Sequence, residues 1–215
     1  MAGGLREHRD FRILSAMVER YPLDVHYDFA STICFVAHRV LGRLAGRIDE
    51  IGVDLRWRPL DLTQITGWRR GARVAGPGRE NALRVARELQ VPVQMPGSWI
   101  DSRAASALAL ALVDRPAKEA VWRERVWSGV YEEGRDIGDP QELRAVAAEV
   151  GLEDLPGGSG TALEEETQRA REAGLGAVPS FMVDQWAMGG IQDDESMVKF
   201  FERFVRKRRR ERAVS

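Results

Sequence analysis

His26 to Leu41 reads HYDFASTICFVAHRVL. A strand-like alternation of apolar and polar residues stops at Ala30-Ser31-Thr32, and apolar residues at helical spacing take over. The chain's one cysteine, Cys34, falls at the start of that helix. Ser31 stands three residues before it, where a second thiol would complete C-x-x-C. Why a strand-to-helix junction should hold a single thiol decides what chemistry the chain can carry.

Working outward, LDVHYDF (Leu23–Phe29) reads as a first strand, and Ile33, Val36, Val40, Leu41, Leu44 and Ile48 mark one buried face of a helix running to about Asp49. VDLRWRPL (Val53–Leu60) alternates again. Strand, helix and strand with short connections make a βαβ unit and hence a parallel pair. A helical block follows: GRENALRVARELQVP, DSRAASALALALVD with Asp101 or Ser102 as N-cap, PAKEAVWRERVWSGVYEEG, DPQELRAVAAEVG with Asp139 as N-cap, and GTALEEETQRAREAG. Strands return as VPSFMVD and WAMGG around a tight turn at Asp184-Gln185. DDESMVKFFERFVRKRRR closes the chain as an amphipathic helix with acids at its start and cations at its end, matching the helix dipole.

Composition narrows the function. Thirty-two Lys and Arg against 33 Asp and Glu leave no global basic field for nucleic acid. A lone cysteine excludes an intramolecular disulfide framework and a Cys-rich zinc site, and His8, His26 and His38 are too scattered for a metal cluster. The first residues, MAGGLREHRDFRILSAMVERYPLD, hold no uninterrupted apolar leader, and no segment is long enough to span a bilayer. The expectation is a cytoplasmic protein with a reduced thiol, and with neither nucleic acid nor membrane as partner. VRKRRRERAVS at the C-terminus reads as a solvated helix end.

The order β-α-β, helical block, β-β-α is the thioredoxin arrangement with an all-helical insertion, and with it the residues resemble the DsbA-like family. YDFASTIC stands at that family's FDFxCPxC position, followed in order by WRPL, YEEGRDIGDPQEL, GAVPSFMVD and GGIQ. Within the family the chain is similar to 2-hydroxychromene-2-carboxylate isomerases, kappa-class glutathione transferases and FrnE-like oxidoreductases. The first two groups carry serine at the leading position, where Ser31 stands; GGIQ is closer to the SGAQ-like turn of the third. The fold expected is α/β: one DsbA-like thioredoxin domain over residues 1–215, with thioredoxin halves at about 22–65 and 175–210 and the insertion at about 78–174. As in many relatives, a homodimer is expected.

A dithiol oxidase needs a low-pKa leading thiolate, favoured by the positive end of the helix, and a second thiol to resolve the mixed disulfide. Serine cannot do this. The resemblance implies that Ser31 instead donates a hydrogen bond to the thiolate of bound glutathione. Cys34, at the resolving position, is either a monothiol nucleophile or a small buried hydrophobe. Pro179 is expected in cis, with Val178 offering its backbone to the cysteinyl part of the tripeptide. Gln192 and Asp193 would hold the γ-glutamyl end, while capping of the last helix is the competing role for Asp193 or Asp194.

His38, one turn beyond Cys34, can tune that thiol or serve elsewhere. Arg58 and Asp61, at the carboxyl end of the second strand, either orient a carboxylate substrate or form a structural pair. Trp68, Trp99, Trp122 and Trp127 either line an apolar cleft or pack the insertion, and GWRRGARVAGPGRE (Gly67–Glu80) reads as a mobile loop above it. The resulting expectation is a glutathione-using isomerase or transferase for a small apolar or aromatic substrate, without metal. A monothiol oxidoreductase using Cys34 and a non-catalytic peptide- or thiol-binding module are the alternatives.

Overall fold

A computed structural model describes residues 19–153 and 157–214. Residues 1–18, His8 among them, lie outside the described residues. Four strands, β1 (Tyr21–Tyr27), β2 (Val53–Pro59), β3 (Ser180–Val183) and β4 (Trp186–Gly189), form one sheet in the order β2-β1-β3-β4. β1 and β2 run parallel, with His26 opposite Arg58; β3 is antiparallel to β1, with His26 opposite Ser180, and β4 antiparallel to β3. The parallel pair is joined by helices α1 (Thr32–Arg43) and α2 (Ala45–Ile51). The expected single helix is thus broken at Leu44, between Gly42 and Gly46, where helix propensity is lowest.

The insertion contributes α3 (Thr63–Thr66), α4 (Gly76–Glu88), α5 (Arg103–Ala111), α6 (Pro116–Tyr131), α7 (Pro140–Glu149) and α8 (Gly160–Glu172); α9 (Asp194–Val214) ends the chain. Ser31, Asp139 and Ser159 each cap a helix through the side chain. At Gly158 a Cβ would run into the Ala107 backbone, so only glycine lets the approach to α8 lie against α5.

Alternate residues of β1 fill the main core. Tyr21, Leu23, Val25 and Tyr27 meet Phe35, Val36 and Val40 of α1, Phe201 and Phe204 of α9, and Trp122, Trp127 and Tyr131 of α6. Insertion and thioredoxin halves therefore share one cluster. Trp122 and Trp127 are fully buried in it, which corrects the cleft reading for these two: they pack the insertion onto the sheet. The opposite face of the sheet carries a smaller cluster of Leu60, Ala170 and Leu175, covered by α8.

Beneath α6 lies a polar network. The Arg123 guanidinium donates to Glu119 at 2.9 Å and to His38 Nδ1 at 3.0 Å, and Tyr27 donates its hydroxyl to Glu119 at 3.1 Å. Because Arg123 only donates, His38 Nδ1 must accept, and its Nε2–H is left to donate to Glu124 at 2.7 Å. Both ring nitrogens are thus committed, and His38 does not tune Cys34.

Candidate active site

The β1–β3 ladder ends at His26 opposite Ser180, so the Asp28–Ala30 and Ala177–Pro179 segments leave the sheet at the same end. The Val178–Pro179 peptide bond is cis. Ser31 opens α1 with extended backbone, and its hydroxyl oxygen accepts the Cys34 N–H at 3.3 Å. The N–H groups of Thr32 and Ile33 in the same turn have no helical carbonyl within reach. The junction therefore gathers two backbone donors and a hydroxyl.

Cys34 is fully buried, and burial pushes its thiol up to about 12 although the Ser31 hydroxyl and the Asp28 backbone pull it down. A thiol at that value supplies almost no thiolate near neutrality. It packs as a small apolar group within the core.

Beside Ser31 lies a pocket of about 130 Å³. It is lined by Ala30, Ser31, Thr32 and Ile33 at the head of α1, by the apolar Leu62, Met95, Pro96 and Ile100, and by Trp68, Val74, Arg79, Ala82 and Trp99. That space suits one aromatic ring, since an engineered cavity of roughly 150 Å³ accepts benzene. The Trp68 and Trp99 rings meet edge to face at 4.8 Å.

The Gly67–Glu80 stretch is not a loose loop. Gly71 N donates to Trp99 O at 2.9 Å, Trp99 N to Ala72 O at 2.7 Å and Val74 N to Gly97 O at 3.1 Å, so two strand-like segments zip over the pocket before α4 begins at Gly76. The polar lining is one-sided. It holds the half-buried Arg79 and no carboxylate, and the buried Trp99 Nε1–H has no acceptor.

Of the residues expected from sequence, Ser31 lines this pocket together with Trp68 and Trp99, whereas Cys34, Arg58, Asp61, Val178, Pro179, Gln192 and Asp193 do not. Val178 packs on Leu60 at the neighbouring sheet edge. Arg58 is turned to Asp24 at 3.4 Å, and the buried Asp61 accepts from Thr63 and Gln64, so the two do not pair with each other. Asp193 accepts from both the N–H and the hydroxyl of Ser196, at 2.9 and 2.8 Å. It thereby begins α9, and these contacts hold its carboxyl below the usual range. Asp194 pairs with Arg43. No group of three or more His, Cys, Asp or Glu among the described residues could hold a metal ion.

Two residues escaped the sequence reading. Arg79 is one; its signal was a cation beside the glycines that open an amphipathic helix. Asp28 is the other. It is fully buried between Tyr27 and Phe29, where a charge at a strand end is itself the signal. Burial pushes its carboxyl up to about 6, against the pull of donors from Ser102, Leu62 and Ala30.

Comparison with known proteins agrees with this architecture. A family model for the DSBA-like thioredoxin domain matches residues 22–202. No curated protein matches the chain. Among solved structures it is similar to a 2-hydroxychromene-2-carboxylate isomerase, at 19% identity over 91% of this chain and 100% of that one, with a TM-score of 0.57. A probable DsbA oxidoreductase from Streptomyces coelicolor matches at 15% identity over 85% and 89%, TM-score 0.64. The cytosolic disulfide reductase DsbM from Pseudomonas aeruginosa, solved with GSH, matches at 20% identity over 88% and 100%, TM-score 0.58. These identities speak to the fold. The chain belongs to the family of DsbA-like thioredoxin domains.

Proposed function

We propose that the chain is a thiol-dependent enzyme, an isomerase or transferase that borrows the thiol of glutathione or of another low-molecular-weight thiol to act on a small apolar substrate. One observation carries the reading: Ser31 lies in the wall of an apolar pocket at the head of α1, while the chain's own thiol is sealed in the core. Support also comes from the family, in which one structural relative is an isomerase and another was solved with GSH. The cytosolic setting of the latter supports a cytoplasmic enzyme; a homodimer is part of the same proposal and is tested by its hydrodynamic mass.

The residues present fit such a thiol. The Ser31 hydroxyl donates to the anionic sulfur, and the Thr32 and Ile33 N–H groups with the α1 dipole add positive potential there. Val178 and Pro179 lie at the neighbouring sheet edge, where backbone groups can hold the cysteinyl part. Gln192 and Asp193 would hold the γ-glutamyl end, and Asp193 stays ionised to meet an ammonium. When bound, the thiol supplies a nucleophile for reversible addition to an electrophilic carbon. Trp68 and Trp99 position the apolar body of the substrate. Arg79 in the pocket lining would meet an acceptor on it, which favours a substrate bearing a carboxylate or carbonyl.

Calorimetric titration with reduced glutathione tests the proposal. Binding that weakens in Ser31→Ala and survives in Cys34→Ala is expected. Absence of binding to glutathione and to other small thiols would overturn it and leave the peptide-binding module.

A further inference from the structure

Asp28 accepts three hydrogen bonds, each from a different segment. Ala30 N reaches Oδ1 at 2.7 Å, Ser102 Oγ reaches Oδ1 at 2.5 Å, and Leu62 N reaches Oδ2 at 2.6 Å. Ser102 stands at the N-cap of α5 yet makes no capping bond there; its hydroxyl is given to Asp28 instead. The three donors belong to the turn before Ser31, the entry to α3 and the entry to α5. Ala30 and Leu62 line the pocket themselves, and Ile100 and Trp99 lie just before Ser102.

We propose that Asp28 is the positioning residue of this pocket: its carboxylate ties the Ser31 turn to the two insertion segments that carry the facing walls. The inference rests on the pocket being the substrate cleft. The chemistry requires a carboxylate. An amide has one acceptor oxygen, so Asn at position 28 would set an NH2 group against at least one of the donors. Protonation has a similar effect, because a carboxylic acid turns one acceptor into a donor facing an N–H or O–H. Titration of Asp28 therefore loosens a tie between walls. The titratable groups around it are Asp61, Cys34, Tyr27 and Tyr131. Of these, Asp61 acts to raise its pKa.

The test is an NMR pH titration of the ligand-free protein from pH 8 to 4. It follows the Ala30 and Leu62 amides and the Trp68 and Trp99 indole N–H signals. All four are expected to shift with one midpoint near pH 6. That midpoint should rise in Ser102→Ala, which removes a donor that holds it down, and vanish in Asp28→Asn. If the amides titrate while the pocket indoles do not, Asp28 is only a structural acceptor and the proposal fails. It fails equally if no common midpoint is found. Should Asp28→Asn not fold, the wild type and Ser102→Ala decide between these outcomes. No thiol is present, so the result stands apart from whether glutathione binds.

Discussion

Ser31 accepts the Cys34 backbone N–H at 3.3 Å, so the residue in place of a leading thiol caps the same helix that buries the chain's one cysteine. The proposed thiolate binding would use the other end of that hydroxyl: its oxygen serves the helix and its proton would serve the ligand. Ser31→Ala should thus cost about 1 kcal/mol of stability as a lost cap. It should weaken thiol binding as well. Ser31→Asp would restore the cap and repel the thiolate, so denaturant midpoints and binding isotherms on both variants separate the two roles.

Cys34 should be silent toward an aromatic disulfide reagent in the native protein and react as one thiol per chain after denaturation. Fast native labelling would contradict its burial and reopen monothiol chemistry.

The Glu119–Arg123 pair is nearly dry, with side chains 7% and 8% exposed. Arg123→Ala would leave Glu119 buried and unpaired and remove the guanidinium that stacks 4.2 Å over Trp57. A loss of about 3–5 kcal/mol is expected from urea unfolding. Glu124→Gln, at the exposed end of the network, should cost far less.

Arg79→Gln should lower affinity for benzoate roughly tenfold, as for loss of one charge-assisted bond. Affinity for the neutral benzyl alcohol should be left nearly unchanged. Equal binding of both probes to the wild type would remove Arg79 from the site.

Burial lowers the pKa of His26 and of His38 below the ordinary 6.5, so each favours the folded state when neutral. That contribution is complete above pH 6.5 and is lost as pH falls below it. Asp28 works in the other direction: its charge burdens the fold above pH 6, and protonation relieves the burden as pH falls from 6 toward 3.8. Urea midpoints between pH 7 and 5 should accordingly fall more steeply in Asp28→Asn than in the wild type. Equal slopes would show that Asp28 does not titrate in that window.

The sequence carried the succession of strands and helices along the chain and the insertion because period 2 and period 3.6 alternate cleanly along it, and YDFASTIC and VPSF sit at the two points where the sheet opens. It also carried Ser31, since a motif fixes that position. Arg58 and Asp61, close in sequence, do not form the structural pair that was one of their two readings. Two residues at a strand end turn to different layers, one toward Asp24 on the sheet and the other into the turn before α3. Trp122 and Trp127 were indistinguishable in sequence from Trp68 and Trp99, because aromatic composition does not say which side of a helix meets the core. The role of Asp28 was unreadable because two of its three partners lie 34 and 74 residues away.

The insertion also touches the site from behind. Thr167 on α8 accepts the Asp61 N–H at 2.9 Å, one residue before the Leu62 amide that Asp28 holds. An insertion transplanted from a relative would therefore arrive with the wrong fastenings unless a hydroxyl came with it at both Ser102 and Thr167. For anyone recombining domains of this family, those two small side chains set where the seam may be cut.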